Sequence, residues 1–193
     1  PKDTLFALKT LVKELHQRNI FTIVVGGEQE NTLGMFRGLS GMNTYVNLTS
    51  IDARFDFGEP GILVSDDSYM SKIITEKPNN LKQFTNLGYQ SYYVSQEELD
   101  LMQKLFFDAY RLGDITADLH ESEPILRDTD ILSIDLSSVK ASELDDSKGL
   151  PNGFDGAQIC KLMRYAGLSD RLSVLGVFNI SDSLRTDQLL AQM

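Results

Sequence analysis

The feature that most constrains this chain is a series of short apolar runs, each closed by a polar or acidic cluster. Residues 21–25 end at Gly26-Gly27-Glu28-Gln29, residues 45–51 at Asp52-Ala53-Arg54-Phe55-Asp56, and residues 131–134 at Asp135-Leu136-Ser137. Runs this short and this uniformly apolar describe strands buried on both faces, which belong to parallel sheets covered by helices on each side. Extended stretches at 83–94 and 172–178 add to the set. Between them lie segments of helical period. Leu5, Leu8, Leu11, Val12 and Leu15 form one stripe over residues 3–18. Ser95 and Glu98 form a capping box before residues 96–107, where Leu99, Met102, Leu105 and Phe106 share a face. Residues 155–166 form a helix entered after Pro151-Asn152-Gly153 and left at Gly167, and residues 184–193 begin another. Strands alternating with helices predict an α/β fold, a three-layer α/β/α sandwich with a mainly parallel sheet, and residues 1–193 read as one domain.

Composition narrows the chemistry. A chain of 193 residues can bury a sizeable core without covalent staples. The single Cys160 excludes an internal disulfide and a Cys-rich zinc module, and the two histidines, His16 and His120, lie far apart in sequence. A formal net charge of −10 opposes nucleic acid and anionic membranes, and neither is expected as a partner. No apolar run has the length of a membrane span. The expected compartment is the cytoplasm, and no cofactor is expected.

In open α/β sheets ligands bind beyond the carboxyl ends of the strands, where the three polar clusters sit. Asp52, Asp56 and Asp135 have the character of oxygen ligands for a hard cation, because carboxylates beside buried strands are costly unless paired or metal-bound. The alternative for each is ordinary turn chemistry that caps the next helix. Gly26-Gly27-Glu28-Gln29-Glu30 is not a phosphate turn: it lacks the glycine spacing and the lysine, and two glutamates would repel phosphate. Cys160, beside Ile159 and Met163, reads as a small core residue, and Tyr89, Tyr92 and Tyr93 as core and sheet-edge packing. His120 reads as a solvated helix-end group, and the acidic run 143–146 as an exposed loop.

Taken in order, the clusters resemble the arginase–agmatinase–formiminoglutamase (ureohydrolase) superfamily. There a Gly-Gly-Asp-His turn, an Asp-Ala-His-x-Asp segment and a Ser-x-Asp-x-Asp segment hold two manganese ions. Gly26-Gly27-Glu28-Gln29 is similar to the first, Asp52-Ala53-Arg54-Phe55-Asp56 to the second, and Ser133-Ile134-Asp135-Leu136-Ser137 to the third. Glu123-Pro124-Ile125-Leu126-Arg127-Asp128, Pro151-Asn152-Gly153-Phe154 and Arg164-Tyr165-Ala166-Gly167-Leu168-Ser169-Asp170 resemble the formiminoglutamase branch. The resemblance implies a fold incomplete at both ends here, a chain that is a piece of a longer one, and assembly as a trimer or hexamer.

The departures decide what function is expected. Position by position, the resemblance puts Gln29 and Arg54 where the family has histidine ligands, and Ser137 where it has a ligating aspartate. Asp52, Asp56 and Asp135 remain. The family's Glu-x-Asn-Pro after the last strand reads Asn179-Ile180-Ser181-Asp182. Two adjacent Mn2+ ions need several anionic and imidazole ligands, which this set lacks. Arg54 is expected to project its guanidinium among Asp52, Asp56 and Asp135 in place of the metals. The expected site is thus Glu28, Gln29, Asp52, Arg54, Asp56, Asp135, Ser137 and Asn179. The expected function is non-catalytic binding, scaffolding or regulation, through a protein partner or a small molecule. The alternative is a Mn2+-dependent hydrolase of non-peptide C–N bonds in guanidino or formimino compounds, with any cation on Asp52, Asp56 and Asp135.

Overall fold

An apolar stripe opens the chain: Leu5 and Val12 face inward from helix α1 (Lys2–Gln17), as the period of residues 3–18 predicts, but Leu11, expected on the same stripe, lies one residue round the helix from Val12 and is 58% exposed. The computed structural model describes residues 2–42, 45–58, 64–144, 149–180 and 183–193. Six strands form one sheet: β1 (Thr22–Val25), β2 (Val46–Ile51), β3 (Leu81–Tyr89), β4 (Asp108–Arg111), β5 (Ile131–Asp135) and β6 (Val174–Phe178). Their order is β1-β6-β5-β2-β3-β4, and every neighbouring pair is parallel. The order places β2 and β5 side by side at the centre, each buried along its whole length. The strands that precede Asp52 and Asp135 are therefore neighbours.

Helices cover both faces. α1, α2 (Asn31–Ser40), α3 (Tyr69–Thr75) and α4 (Gln96–Lys104) pack on one side, around Leu33, Phe36, Met70, Ile73 and Phe84. α5 (Leu112–Ala117), α6 (Ser122–Arg127), α7 (Ala141–Leu144), α8 (Gly156–Gly167) and α9 (Leu184–Leu190) pack on the other, around Leu132, Ile134, Ile159 and Leu162. This is the expected three-layer α/β/α sandwich. The Ser95–Glu98 capping box is formed: Glu98 N donates to Ser95 Oγ at 3.2 Å and Ser95 N to Glu98 Oε2 at 2.8 Å. Asp155 and Gln158 build a second box at the start of α8.

Three expectations need correction. Residues 21–25 are not a doubly buried strand. β1 pairs only with β6 at the sheet edge, so Ile23 and Val25 are 58% and 59% exposed. Phe106 does not share the inner face of α4: the helix ends at Lys104, and Phe106 adopts a positive φ of 57° with its ring in solvent. Tyr92 is likewise exposed rather than packed. The acidic run 143–146 lies partly outside the described residues, at 145 and 146.

Helix α2 is invisible to periodicity because Gly34 and Gly38 interrupt it. Those glycines let α1 approach. A Cβ on Gly38 would stand 2.7 Å from Val12 Cγ1 and 3.1 Å from the Lys9 carbonyl oxygen, and one on Gly34 would meet Leu8. Gly38→Ala gains about 1 kcal/mol of helix propensity, but overpacking against a fully buried Val12 costs about 1–3 kcal/mol. The variant is expected to unfold at a lower denaturant concentration than the parent chain; equal or higher stability would show that α1 can shift freely.

Candidate functional site

The carboxyl ends of β2, β5 and β6 and the turn after β1 converge on one buried polar chamber. After β1 the chain turns at Gly26 and Gly27, whose φ angles of 97° and 78° lie in the region that glycine alone enters readily. Gly26 N donates to the Val177 carbonyl and Gly27 O accepts from Asn179 N, both at 2.9 Å, so the turn is tied to β6. It delivers Gln29 inward, 1% exposed, while Glu28 faces solvent. Gln29 Nε2 donates to Ser50 Oγ of β2 at 3.1 Å and to Ser133 Oγ of β5 at 3.3 Å. Thr32 Oγ1, on the first turn of α2, lies 2.6 Å from Ser133 Oγ. The two serines are small polar residues on the sheet face that carries α2, and the helix start sits on them.

Three carboxylates complete the chamber. Asp52, Asp56 and Asp135 are 2%, 6% and 6% exposed. Asp52 Oδ1 accepts from Arg54 N at 2.9 Å, while its buried Oδ2 has no hydrogen-bond partner. Asp56 is held in the left-handed region, φ 55°, in the loop after Phe55. Asp135 is turned into the site by Ser137, whose amide donates to Oδ1 at 2.7 Å and whose hydroxyl donates to Oδ2 at 2.6 Å. Asn179, also at positive φ, adds a side-chain hydrogen bond to Asp135.

With this burial the carboxyl groups resist ionisation. Asp52 is raised from 3.8 to about 7, first by burial and then by the neighbouring Asp135, against the Asp56 side chain, the Arg54 amide and Gln29, which pull it down. Asp56 is pushed well above the carboxylate range by burial and by Asp52. Asp135 is raised by burial against the opposing bonds from Ser137 and Asn179. Tyr69, fully buried on α3, is raised by burial and then by Asp56 and Asp52, and its Oη has no hydrogen-bond partner.

The structure brings Gln29, Asp52, Asp56, Asp135, Ser137 and Asn179 together, and it corrects the expectation for Arg54. Its guanidinium does not stand among the carboxylates. The side chain is exposed, with Cζ 5.0 Å from the centre of the Tyr93 ring, and it forms no ion pair with a described carboxylate. The reason is local: Asp52 takes the Arg54 amide, and Asn86 Nδ2 holds the Arg54 carbonyl at 2.7 Å. That directs the backbone inward and the side chain out, where stacking on Tyr93 avoids the cost of burying a guanidinium. The charge still eases the ionisation of Asp56 and Asp135, as the smallest contribution to each. Glu28 is outside the chamber. Of the 179–182 segment, Ser181 and Asp182 lie outside the described residues.

Sequence reasoning missed Tyr69, Thr32, Ser50 and Asn86. Ser50, buried on the same face of β2 as Val46 and Leu48, was the available signal; Tyr69 had none, since residues 69–75 show no clear period. Among the described residues no group of three or more His, Cys, Asp or Glu is arranged to hold a metal ion. His16 ends α1, and His120 is exposed, its Nδ1 3.0 Å from Tyr165 Oη; both lie away from the strand ends.

The backbone that carries this chamber matches known structures. Trypanosoma cruzi formiminoglutamase with Mn2+ superposes with a TM-score of 0.89 at 15% identity, over 99% of this chain and 68% of that one. Formimidoylglutamase from Bacillus subtilis gives 0.83 at 13% identity, over 97% and 64%. The agmatine ureohydrolase of Thermoplasma volcanium gives 0.77 at 17% identity, over 99% and 65%. The chain has the ureohydrolase fold. It spans about two thirds of the length of these ureohydrolase-fold neighbours. No protein-family model and no curated protein matches the sequence. No helix among the described residues is long and apolar enough to cross a membrane.

Raised carboxyl groups set a direction for stability. Asp52 titrates near 7 in the folded state and near 3.8 unfolded, so its protonated form is favoured by folding. That contribution is complete below pH 3.8 and is lost as pH rises through about 7. In EDTA-treated protein the denaturant midpoint should fall between pH 5 and pH 8, and Asp52→Asn should lessen that fall, with Asp56 and Asp135 supplying the rest. A midpoint that rises with pH over this range would contradict the buried, metal-free carboxylates.

Proposed function

We propose that this ureohydrolase-fold chain acts by binding a small molecule or a protein partner rather than by metal-dependent hydrolysis. The observation that carries the reading is Gln29. At the position where the family resemblance puts an imidazole ligand, a buried amide nitrogen donates to Ser50 and Ser133. It ties the turn after β1 to both central strands, and an amide offers a metal only its carbonyl oxygen in place of an imidazole nitrogen. Arg54, at a second histidine position, is directed out onto Tyr93. Ser137, at an aspartate position, spends its hydroxyl on Asp135. Two adjacent Mn2+ ions require imidazole and carboxylate donors in number, and this donor set does not fit them. Bound manganese would supply an activated hydroxide at neutral pH; these residues offer no substitute nucleophile.

A second reading rests on the orphaned Oδ2 of Asp52 among three carboxylates, and on the superposition with a formiminoglutamase that holds Mn2+. In it Asp52, Asp56 and Asp135 take one cation, and the full-length protein hydrolyses C–N bonds of guanidino or formimino compounds. The compartment proposed for either reading is the cytoplasm, and oligomeric assembly is proposed from the family resemblance.

Metal analysis and turnover separate the two. After incubation with manganese and gel filtration, the protein is expected to retain less than stoichiometric metal, and to release neither urea nor formamide from guanidino and formimino substrates. The combined variant Gln29→His, Arg54→His and Ser137→Asp is expected to retain manganese. Manganese-dependent turnover by the unmodified protein that vanishes in Asp52→Ala would establish the hydrolase instead.

A further inference from the structure

Where α2 and α3 end, at the amino side of the sheet, the surface forms a cleft of about 580 Å³. Asn80 lines it, and the Asn80 carbonyl accepts from Val46 N at 2.9 Å, which ties the cleft to the starts of β2 and β3. Four cations line it: Lys9 from the middle of α1, Arg37 from the last turn of α2, Lys72 from α3, and Lys77 just after α3. The one carboxylate in the lining is Glu76. Arg37 engages it with two nitrogens: Nε donates to Glu76 Oε1 at 2.8 Å, and Nη2 donates to the same oxygen. Lys9, Lys72 and Lys77 form no ion pair among the described residues.

Helix dipoles account for only part of this gathering. Cations in a last turn complement the carbonyl end of a helix, which explains Arg37 and Lys72. Lys9 lies in mid-helix and Lys77 beyond α3, so neither has that role. The helix ends are also partly covered against repelling an anion. Asn80 Nδ2 donates to the Ser40 carbonyl at 2.8 Å, and Asn79 Nδ2 to the Ile74 carbonyl at 2.7 Å. The chain as a whole carries a formal net charge of −10, yet here three unpaired ammonium side chains surround one concavity. They repel one another, and a concave wall concentrates their field on whatever enters.

The lining also restricts the anion. Pro78 is its one apolar side chain and it holds no aromatic ring, so a nucleobase finds no surface on which to stack. Lysine ammonium groups are compact point charges that suit phosphate oxygens. Three of them around a space far larger than one phosphate suit a ligand with two. We propose that this cleft binds a compact, non-aromatic anion carrying two phosphate groups, held by Lys9, Lys72 and Lys77 while Arg37 keeps Glu76 engaged. The site is independent of the carboxylate chamber, which lies beyond the opposite ends of the strands.

Titration of the chain with sodium pyrophosphate, and separately with fructose bisphosphate, tests this at constant ionic strength without divalent metal. Amide chemical shifts are expected to change saturably at Gly41, Lys72 and Asn80 with at least one of the two. The tighter ligand shows whether adjacent or separated phosphates are preferred. The triple variant Lys9→Gln, Lys72→Gln and Lys77→Gln alters exposed side chains only, and is expected to weaken binding at least about tenfold, the equivalent of ~1.4 kcal/mol. The matched triple Lys104→Gln, Arg111→Gln and Arg164→Gln removes three exposed cations outside the cleft and should leave binding unchanged. Sodium sulfate should bind at least about tenfold more weakly than the tighter ligand. Absence of saturation with both ligands, equal binding of sulfate, or equal losses in the two triple variants would each overturn the proposal. So would adenosine diphosphate binding more tightly than pyrophosphate, because the base would then have a contact that this lining lacks.

Discussion

The seat of α2 on the two central strands governs the rest of the molecule. Gln29 and Thr32 reach across to Ser50 and Ser133, so one side-chain network joins the turn after β1, the helix start, β2 and β5. Buried polar groups are costly when unpaired and specific when paired, and this network fixes which helix lies over which strands. The glycines of α2 then allow α1 to close on its outer side, with Val12 fully buried against Gly38. Beyond the network the same strands deliver Asp52 and Asp135 into one chamber. Stability and the shape of the candidate site therefore share an origin.

That chamber is an unusual electrostatic object. Three carboxyl groups are sequestered without a guanidinium among them, because Asp52 uses the Arg54 amide while the Arg54 side chain lies on Tyr93. Burial answers by holding protons on the cluster, and the neutral amide of Gln29 adds donors without adding charge. Protonation and amide bonds can replace a cation structurally, since both relieve carboxylate repulsion. They do not replace it chemically, because neither produces a nucleophile.

The two ends of the sheet divide the polar residues between them. At the carboxyl ends Asp52 Oδ2, Tyr69 Oη and Asn86 Oδ1 are buried without hydrogen-bond partners. At the amino ends of β2 and β3 an open cleft gathers Lys9, Lys72 and Lys77, which have no ion-pair partners among the described residues. On the face toward α5–α9, Ile51, Leu87 and Leu132 lie in the apolar cluster.

Much of this was legible in the residues. The burial of β5 follows from its Ile131-Leu132 and Ile134 pattern, and Ser95 with Glu98 marks the start of α4 on capping chemistry alone. Gln29, Asp52, Asp56 and Asp135 stood out because costly groups at strand ends require a reason. The α/β layering and the identity of the chamber's carboxylates follow from the residues alone, since hydrophobic period and local turn chemistry act over a few residues. Only the tertiary structure decided that β1 is an exposed edge, that α2 exists despite its glycines, that Tyr69 enters the chamber, and that Arg54 leaves it. Each depends on what lies across space: a missing strand neighbour, a helix that needs close approach, a ring that offers stacking. Those partners are remote in sequence, and no local pattern encodes the competition between burying a charge and leaving it in water.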